Sequence, residues 1–127
     1  MNNLETGDLT VQVSVPAAGA IRLDWLGKSN NREPGKILGP FLREVTKKAV
    51  EQGELVETRP TVEMHFEKLE HFNSSTITAI IQFIQTSRAS GVALVISFDG
   101  QQKWQRLSFD ALRIFDKNDG LLTFKNL

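Results

Sequence analysis

A mixed α/β fold is predicted by three patterns in this chain. Residues 9–15 alternate, with Leu9, Val11, Val13 and Val15 on one side and Thr10, Gln12 and Ser14 on the other. Three later segments repeat apolar residues at helical spacing, and Val92-Ala93-Leu94-Val95-Ile96 is continuously apolar. Alternation marks a half-buried strand, a spacing of three to four marks an amphipathic helix, and an unbroken short apolar run marks an interior parallel strand.

The elements follow in order. Residues 1–8 carry no pattern and are expected to be a flexible N-terminus ahead of a single domain over 9–127. The strand from Leu9 runs to the turn Pro16-Ala17-Ala18-Gly19, and Ile21, Leu23 and Trp25 resume the alternation, which predicts an antiparallel hairpin. A polar stretch from Gly27 to Gly35 leads into Ile37, Leu38, Phe41, Leu42, Val45, Ala49 and Val50, a helix stopping near Gly53. Pro40 falls within it and is tolerable only in a first turn. Thr61–Phe66 alternates again, and a loop over residues 67–72 leads to a helix starting at Asn73-Ser74. Ile77, Ile80, Ile81 and Ile84 form its apolar stripe, and Ser90-Gly91 its stop. After the apolar strand at 92–96, Trp104, Leu107, Ala111, Leu112 and Phe115 predict a third helix with Phe109 off the stripe. Leu121–Phe124 makes a last strand after Asn118-Asp119-Gly120. The order is β-β-α-β-α-β-α-β. Crossover helices imply parallel, right-handed pairing of the later strands, and the alternating strands leave one sheet face less covered.

Composition narrows the function classes. The chain has 127 residues, 40% of them hydrophobic, enough for one core without staples. It has no cysteine, which excludes disulfides and thiolate metal sites. Fifteen basic residues balance fifteen acidic ones, so the global charge expected of a nucleic-acid binder is missing. No apolar run reaches the ~20 residues of a membrane span, and the first ten residues have no signal-peptide pattern, so a cytoplasmic location is expected. Charge is nonetheless polarised. Residues 28–48 carry a balance of +4, from Lys28, Arg32, Lys36, Arg43, Lys47 and Lys48 against Glu33 and Glu44. Residues 51–70 carry −4, from Glu51, Glu54, Glu57, Glu63, Glu67 and Glu70 against Arg59 and Lys68. Such polarity suits a protein partner as well as plain solvated faces.

The segment Glu70-His71-Phe72-Asn73-Ser74-Ser75-Thr76-Ile77 sets two adjacent hydroxyls where a helix begins. The first turn leaves backbone N–H groups free and carries roughly half a positive charge, so an anion there gains about 0.3 to 1 kcal/mol. A serine in this turn can carry a phosphate without unfolding its helix. The same residue types are also ordinary N-caps, and Asn73 or Ser74 serves that role equally well on local sequence alone.

A β-β-α-β-α-β-α-β domain with a serine at the start of its second helix resembles the STAS domain of bacterial anti-sigma-factor antagonists. That family's phosphoacceptor lies in a pattern like Asp-Ser-Ser/Thr-Gly, matched here by Asn73, Ser74, Ser75 and Thr76, with asparagine for the aspartate and threonine for the glycine. The chain is more closely similar to the STAS-like phosphoproteins of biofilm regulation. These carry an Asn-Thr-Ser-Ser-like site and act on a cyclic-di-GMP-synthesising enzyme, and Gly27-Lys28-Ser29 through Leu38-Gly39-Pro40-Phe41 is also similar to that subgroup. The resemblance implies a partner switch in signal transduction. A serine/threonine protein kinase modifies Ser74, with Ser75 as the second candidate, a phosphatase resets it, and one form binds a downstream target. His71, Phe72, Asn73 and Thr76 would border the partner surface. A diguanylate cyclase is the target by the biofilm likeness, and an anti-sigma factor by the broader one. No cofactor, nucleic acid or membrane is implied.

Two other classes are weighed against this reading. For an enzyme, His65 and His71 are the only histidines, their six-residue spacing fits no helical metal pair, and Ser74 with His71 has no placed carboxylate beyond Glu70 or Glu67. No catalysis is therefore expected. His65 is expected on the open sheet face and His71 in a loop. A constitutive adaptor or homo-oligomer would use Trp25, Phe72, Trp104 and Phe109 as an exposed aromatic patch, whereas their alternative place is the core.

Overall fold

The computed structural model describes residues 1–127 as strands β1 (Leu4–Thr6), β2 (Leu9–Ser14) and β3 (Ala20–Ser29), helix α1 (Gly35–Leu55), strands β4 (Thr61–His65) and β5 (Leu69–Phe72), helix α2 (Ser74–Ala89), strand β6 (Ala93–Phe98), helix α3 (Lys103–Leu112), a 3-10 turn (Arg113–Phe115) and strand β7 (Leu122–Asn126). One seven-stranded sheet runs β1-β2-β3-β4-β6-β7, and β5 also pairs with β3. The β1–β2–β3 ribbon is antiparallel, and the remaining pairs are parallel. The mixed sheet, N-terminal hairpin and crossover helices are as the patterning predicts.

Parallel register aligns Leu23 with Met64, Met64 with Ile96, and Ile96 with Phe124. These residues lie on one face, where α1 packs on β3 and β4 and α2 packs on β6. Twenty-five buried side chains form a single cluster there. The intervening residues, Arg22 and Asp24 on β3 and Glu63 and His65 on β4, lie on the opposite face, where no helix covers them and they are half-buried.

Several expectations are corrected. Residues 1–8 are not simply flexible, because Leu4–Thr6 pairs with Leu9–Val11. Pro40 lies in the second turn of α1, beyond the place where its missing N–H would be harmless. The stretch read as a loop before α2 contains β5. Its burial runs buried, exposed, exposed, buried, so Leu69 and Phe72 give no alternation to detect. β5 exists because β3 is ten residues long, its first half pairing with β4 and its second with β5. The register shifts at Gly27, whose φ of +83° and close approach to the Asp8 carbonyl leave no room for a Cβ.

The third helix is rotated from its expected phase. Phe109 is fully buried and Leu107 is 58% exposed. The inward row contains Gln105, Phe109 and Leu112. Buried Gln105 accepts from the Asp99 amide (2.8 Å) and donates to the carbonyls of Phe66 (2.8 Å) and Leu69 (3.1 Å), bridging the break between β4 and β5. A polar residue on an inward face conceals the stripe from hydropathy alone. Aromatic stacking closes this end of the core, with Trp25 to Phe66 and Phe66 to Phe109 both at 4.9 Å and Phe72 to Trp104 at 5.2 Å. Trp25, Phe72 and Phe109 are therefore core, not an exposed patch.

Candidate functional site

The start of α2 is built from three elements. Asn73 is the N-cap, with extended backbone (φ −88°, ψ 172°), and its Oδ1 accepts from the Thr76 amide at 2.9 Å. The Thr76 hydroxyl, fully buried, donates to the same Oδ1 at 2.7 Å. It lies 2.7 Å from the Ser29 hydroxyl at the end of β3. With the Thr76 proton on Asn73, Ser29 is the donor in that contact. Asn73 is also held from the other side. Its Nδ2 donates to the Asn31 carbonyl at 2.8 Å and its amide to the Ser29 carbonyl at 3.0 Å. One end of the amide group thus fastens the cap to the segment after β3, and the other end to the first turn of α2.

This fastening explains the asparagine. An aspartate could accept from Thr76 but could not donate to Asn31. It also explains the threonine, because the buried position holds a side chain that bonds across to Ser29. Ser74 and Ser75, by contrast, are both exposed. They occupy the first two helical positions, where backbone N–H groups have no intrahelical partner. No acidic residue sits in this first turn.

A shallow cavity of about 410 Å³ lies beside it. Ser75 and Thr78 of α2, Gly35 and Lys36 of α1, and Arg32 line it. The N-termini of both helices therefore meet at one hollow lined by two cations, Arg32 and Lys36, and by the carboxylate of Glu33, which pairs with Lys36 at 2.9 Å. Helix ends and cations together favour an anion there.

The predicted site residues divide. His71, Ser74 and Ser75 are exposed and Asn73 is half-buried, with buried Phe72 between His71 and Asn73. His71 lies on β5, not in a loop, with its ring 6.4 Å from that of Trp104. Phe72 and Thr76, expected to border a partner, are 5% and 0% exposed and face the core instead. Sequence reasoning missed Ser29, Asn31, Arg32 and Lys36. All four precede the helix by more than thirty-five residues, and only the return of the chain after β5 brings them together.

Solved structures similar to this chain include two regulatory proteins. The anti-sigma factor antagonist SpoIIAA, in its unphosphorylated form, matches with a TM-score of 0.58 at 13% identity over 91% of this chain and 88% of that one. Apo-SiaC from Pseudomonas aeruginosa matches with a TM-score of 0.55 at 14% identity over 98% and 99%. No family model matches the sequence, and no curated protein matches it either. At this identity the likeness is one of architecture. The fold is STAS-like. No helix is long and apolar enough to cross a membrane.

Proposed function

On this STAS-like fold, we propose a non-enzymatic regulatory binding protein switched by phosphorylation of a serine at the start of α2. A serine/threonine kinase adds the phosphate, a phosphatase removes it, and one form binds a target protein in a partner-switching pathway. Ser74 is the acceptor and Ser75 the second candidate. The observation that carries the reading is the contrast within four residues. Asn73 and Thr76 are locked into the fold by side-chain hydrogen bonds, while the two serines between them are exposed on a preformed helix end.

The physics suits a switch. A phosphate adds about −1.5 to −2 charge at neutral pH, and each 1.4 kcal/mol of repulsion at an interface is roughly tenfold in affinity. The helix need not reorganise, because its cap does not use either serine hydroxyl. His71 and Asn73 flank the acceptor and would contact the target. The Asn-Ser-Ser-Thr site favours a diguanylate cyclase as that target, and the anti-sigma-factor-antagonist architecture supports an anti-sigma factor as the alternative.

Intact-mass spectrometry with peptide mapping, on protein recovered from its native cells, tests the modification. A phosphate mapped to Ser74 is expected, and it should vanish in Ser74→Ala. Pull-downs should then differ between Ser74→Ala and Ser74→Asp. Equal capture of the same partner by wild type and both variants would refute the switch and favour a constitutive adaptor.

A further inference from the structure

The helix-free face of the sheet carries a group of side chains that the proposed switch does not use. Asp24 on β3 lies in register with His65 on β4, and Glu67 follows two residues after His65. Donor atoms of these three side chains all lie within 4.8 Å of one another. We propose that Asp24, His65 and Glu67 form a binding site for a divalent transition-metal ion of the Zn²⁺ class.

Four features support it. His65 Nδ1 lies 3.4 Å from Glu67 Oε1. A tetrahedral Zn²⁺ with ligand bonds of about 2.0–2.2 Å spaces its donors by roughly 3.3–3.5 Å, so this pair already spans one edge of such a site. Second, the Nδ1–Glu67 contact lacks hydrogen-bond geometry. Nδ1 and the other Glu67 oxygen, Oε2, are both shut off from solvent without a hydrogen-bond partner. Buried polar atoms in that condition are uncommon, and an ion is one of the few things that satisfies a nitrogen lone pair and a carboxylate together.

Third, the outer residues are arranged as metal ligands require. His65 Nε2 is 3.5 Å from Glu63 Oε1. A proton on Nε2 directed at Glu63 leaves the Nδ1 lone pair for the ion, the carboxylate–histidine–metal arrangement. Arg22 donates to both oxygens of Asp24, at 3.0 and 2.9 Å. Each carboxylate oxygen keeps a second lone pair, so this grip orients Asp24 without exhausting it. Fourth, three carboxylates, Asp24, Glu63 and Glu67, bear on one guanidinium, Arg22, with Lys125 on the same face two strands away, and a divalent ion offsets negative charge that Arg22 alone does not. The imidazole nitrogen favours Zn²⁺ over Mg²⁺ or Ca²⁺, which prefer oxygen-only shells. Three protein ligands would leave a fourth position for water or a partner's side chain.

The six-residue spacing of His65 and His71 conceals this site, because its other ligands come from a different strand and from beyond the end of β4. It stands on the opposite sheet face from α1 and α2 and is independent of the switch.

Isothermal titration of the full chain with ZnCl₂, with MgCl₂ and CaCl₂ in parallel, tests it. One equivalent of Zn²⁺ is expected to bind with no comparable Mg²⁺ or Ca²⁺ isotherm. His65→Gln and Glu67→Gln should each weaken binding by about tenfold or more, and Glu63→Gln by less. His71→Gln should bind as wild type does. Circular dichroism confirms that each variant is folded, and if His65→Gln is not, Glu67→Gln decides. Absence of saturable one-equivalent binding, binding undiminished in the folded His65 or Glu67 variant, or loss of binding in His71→Gln would each overturn the proposal.

Discussion

The Ser29 and Thr76 hydroxyls meet at 2.7 Å inside the protein, joining the end of β3 to the first turn of α2 across 47 residues of sequence. The Thr76 hydroxyl in turn donates to Asn73 Oδ1, so three side chains form one directed chain of hydrogen bonds. Removing its middle member orphans a buried group, which costs about 1–3 kcal/mol. Thr76→Val should lower the melting temperature by several degrees, at roughly 3–5 °C per kcal/mol for a domain of this size. Thr76→Ser should retain most of the stability. Combining Ser29→Ala with Thr76→Val should cost less than the two losses added together, and strict additivity in calorimetry would show that the pair is not coupled.

Asn73 works at both ends of its amide. In Asn73→Asp, the Asn31 carbonyl loses its donor and faces a carboxylate. The helix end returns only about 0.3–1 kcal/mol for the added negative charge, against about 1 kcal/mol or more for a half-buried acceptor left opposite another acceptor. Asn73→Asp should therefore be less stable than wild type at neutral pH in chemical denaturation, even though aspartate is a good N-cap in general. A variant as stable as wild type would mean that the Asn31 contact contributes nothing.

The hollow shared by the two helix N-termini makes a salt-dependent prediction. Ser75→Glu places an anion beside free first-turn amides, Arg32 and the Lys36–Glu33 pair. At low ionic strength it should stabilise the fold by about 0.3–1 kcal/mol. The gain should largely vanish near 1 M salt, where screening reaches about 3 Å. Thermal melts of wild type and variant across a salt series measure this, and a variant destabilised at every salt concentration would contradict it.

Asp119 gives an acid limb to stability. The Leu121 amide donates to its carboxylate at 3.0 Å and Arg88 at 3.1 Å, which together hold its pKa below the ordinary value of 3.8. A carboxyl whose pKa is lower folded than unfolded contributes stability above its unfolded pKa, and that contribution is lost as pH falls through the folded value. The melting-temperature gap between wild type and Asp119→Asn should therefore be constant from neutral pH down to about pH 5 and close below about pH 4. A gap that persists into strong acid would assign the difference to packing.

The sequence by itself determined the layered plan of this protein. Alternation over Leu9–Ser14 and Thr61–His65 and the apolar stripe of α2 report which side of each element is buried, and burial is local information carried by neighbouring residues. It also located a helix start at Asn73-Ser74, and the structure makes Asn73 the cap. What the tertiary structure decided depends on partners distant along the chain. β5 has no pattern of its own and is a strand because β3 extends far enough to pair with it. Gln105 breaks the stripe of α3 because the turn after β4 needs its amide. Thr76 is buried because Ser29 is there to receive it, while Ser75, one residue earlier, faces the cations of a different helix start. Hydrogen bonds and charges are satisfied by geometry rather than by composition, so only the folded chain shows which polar residues it uses internally and which it leaves for others.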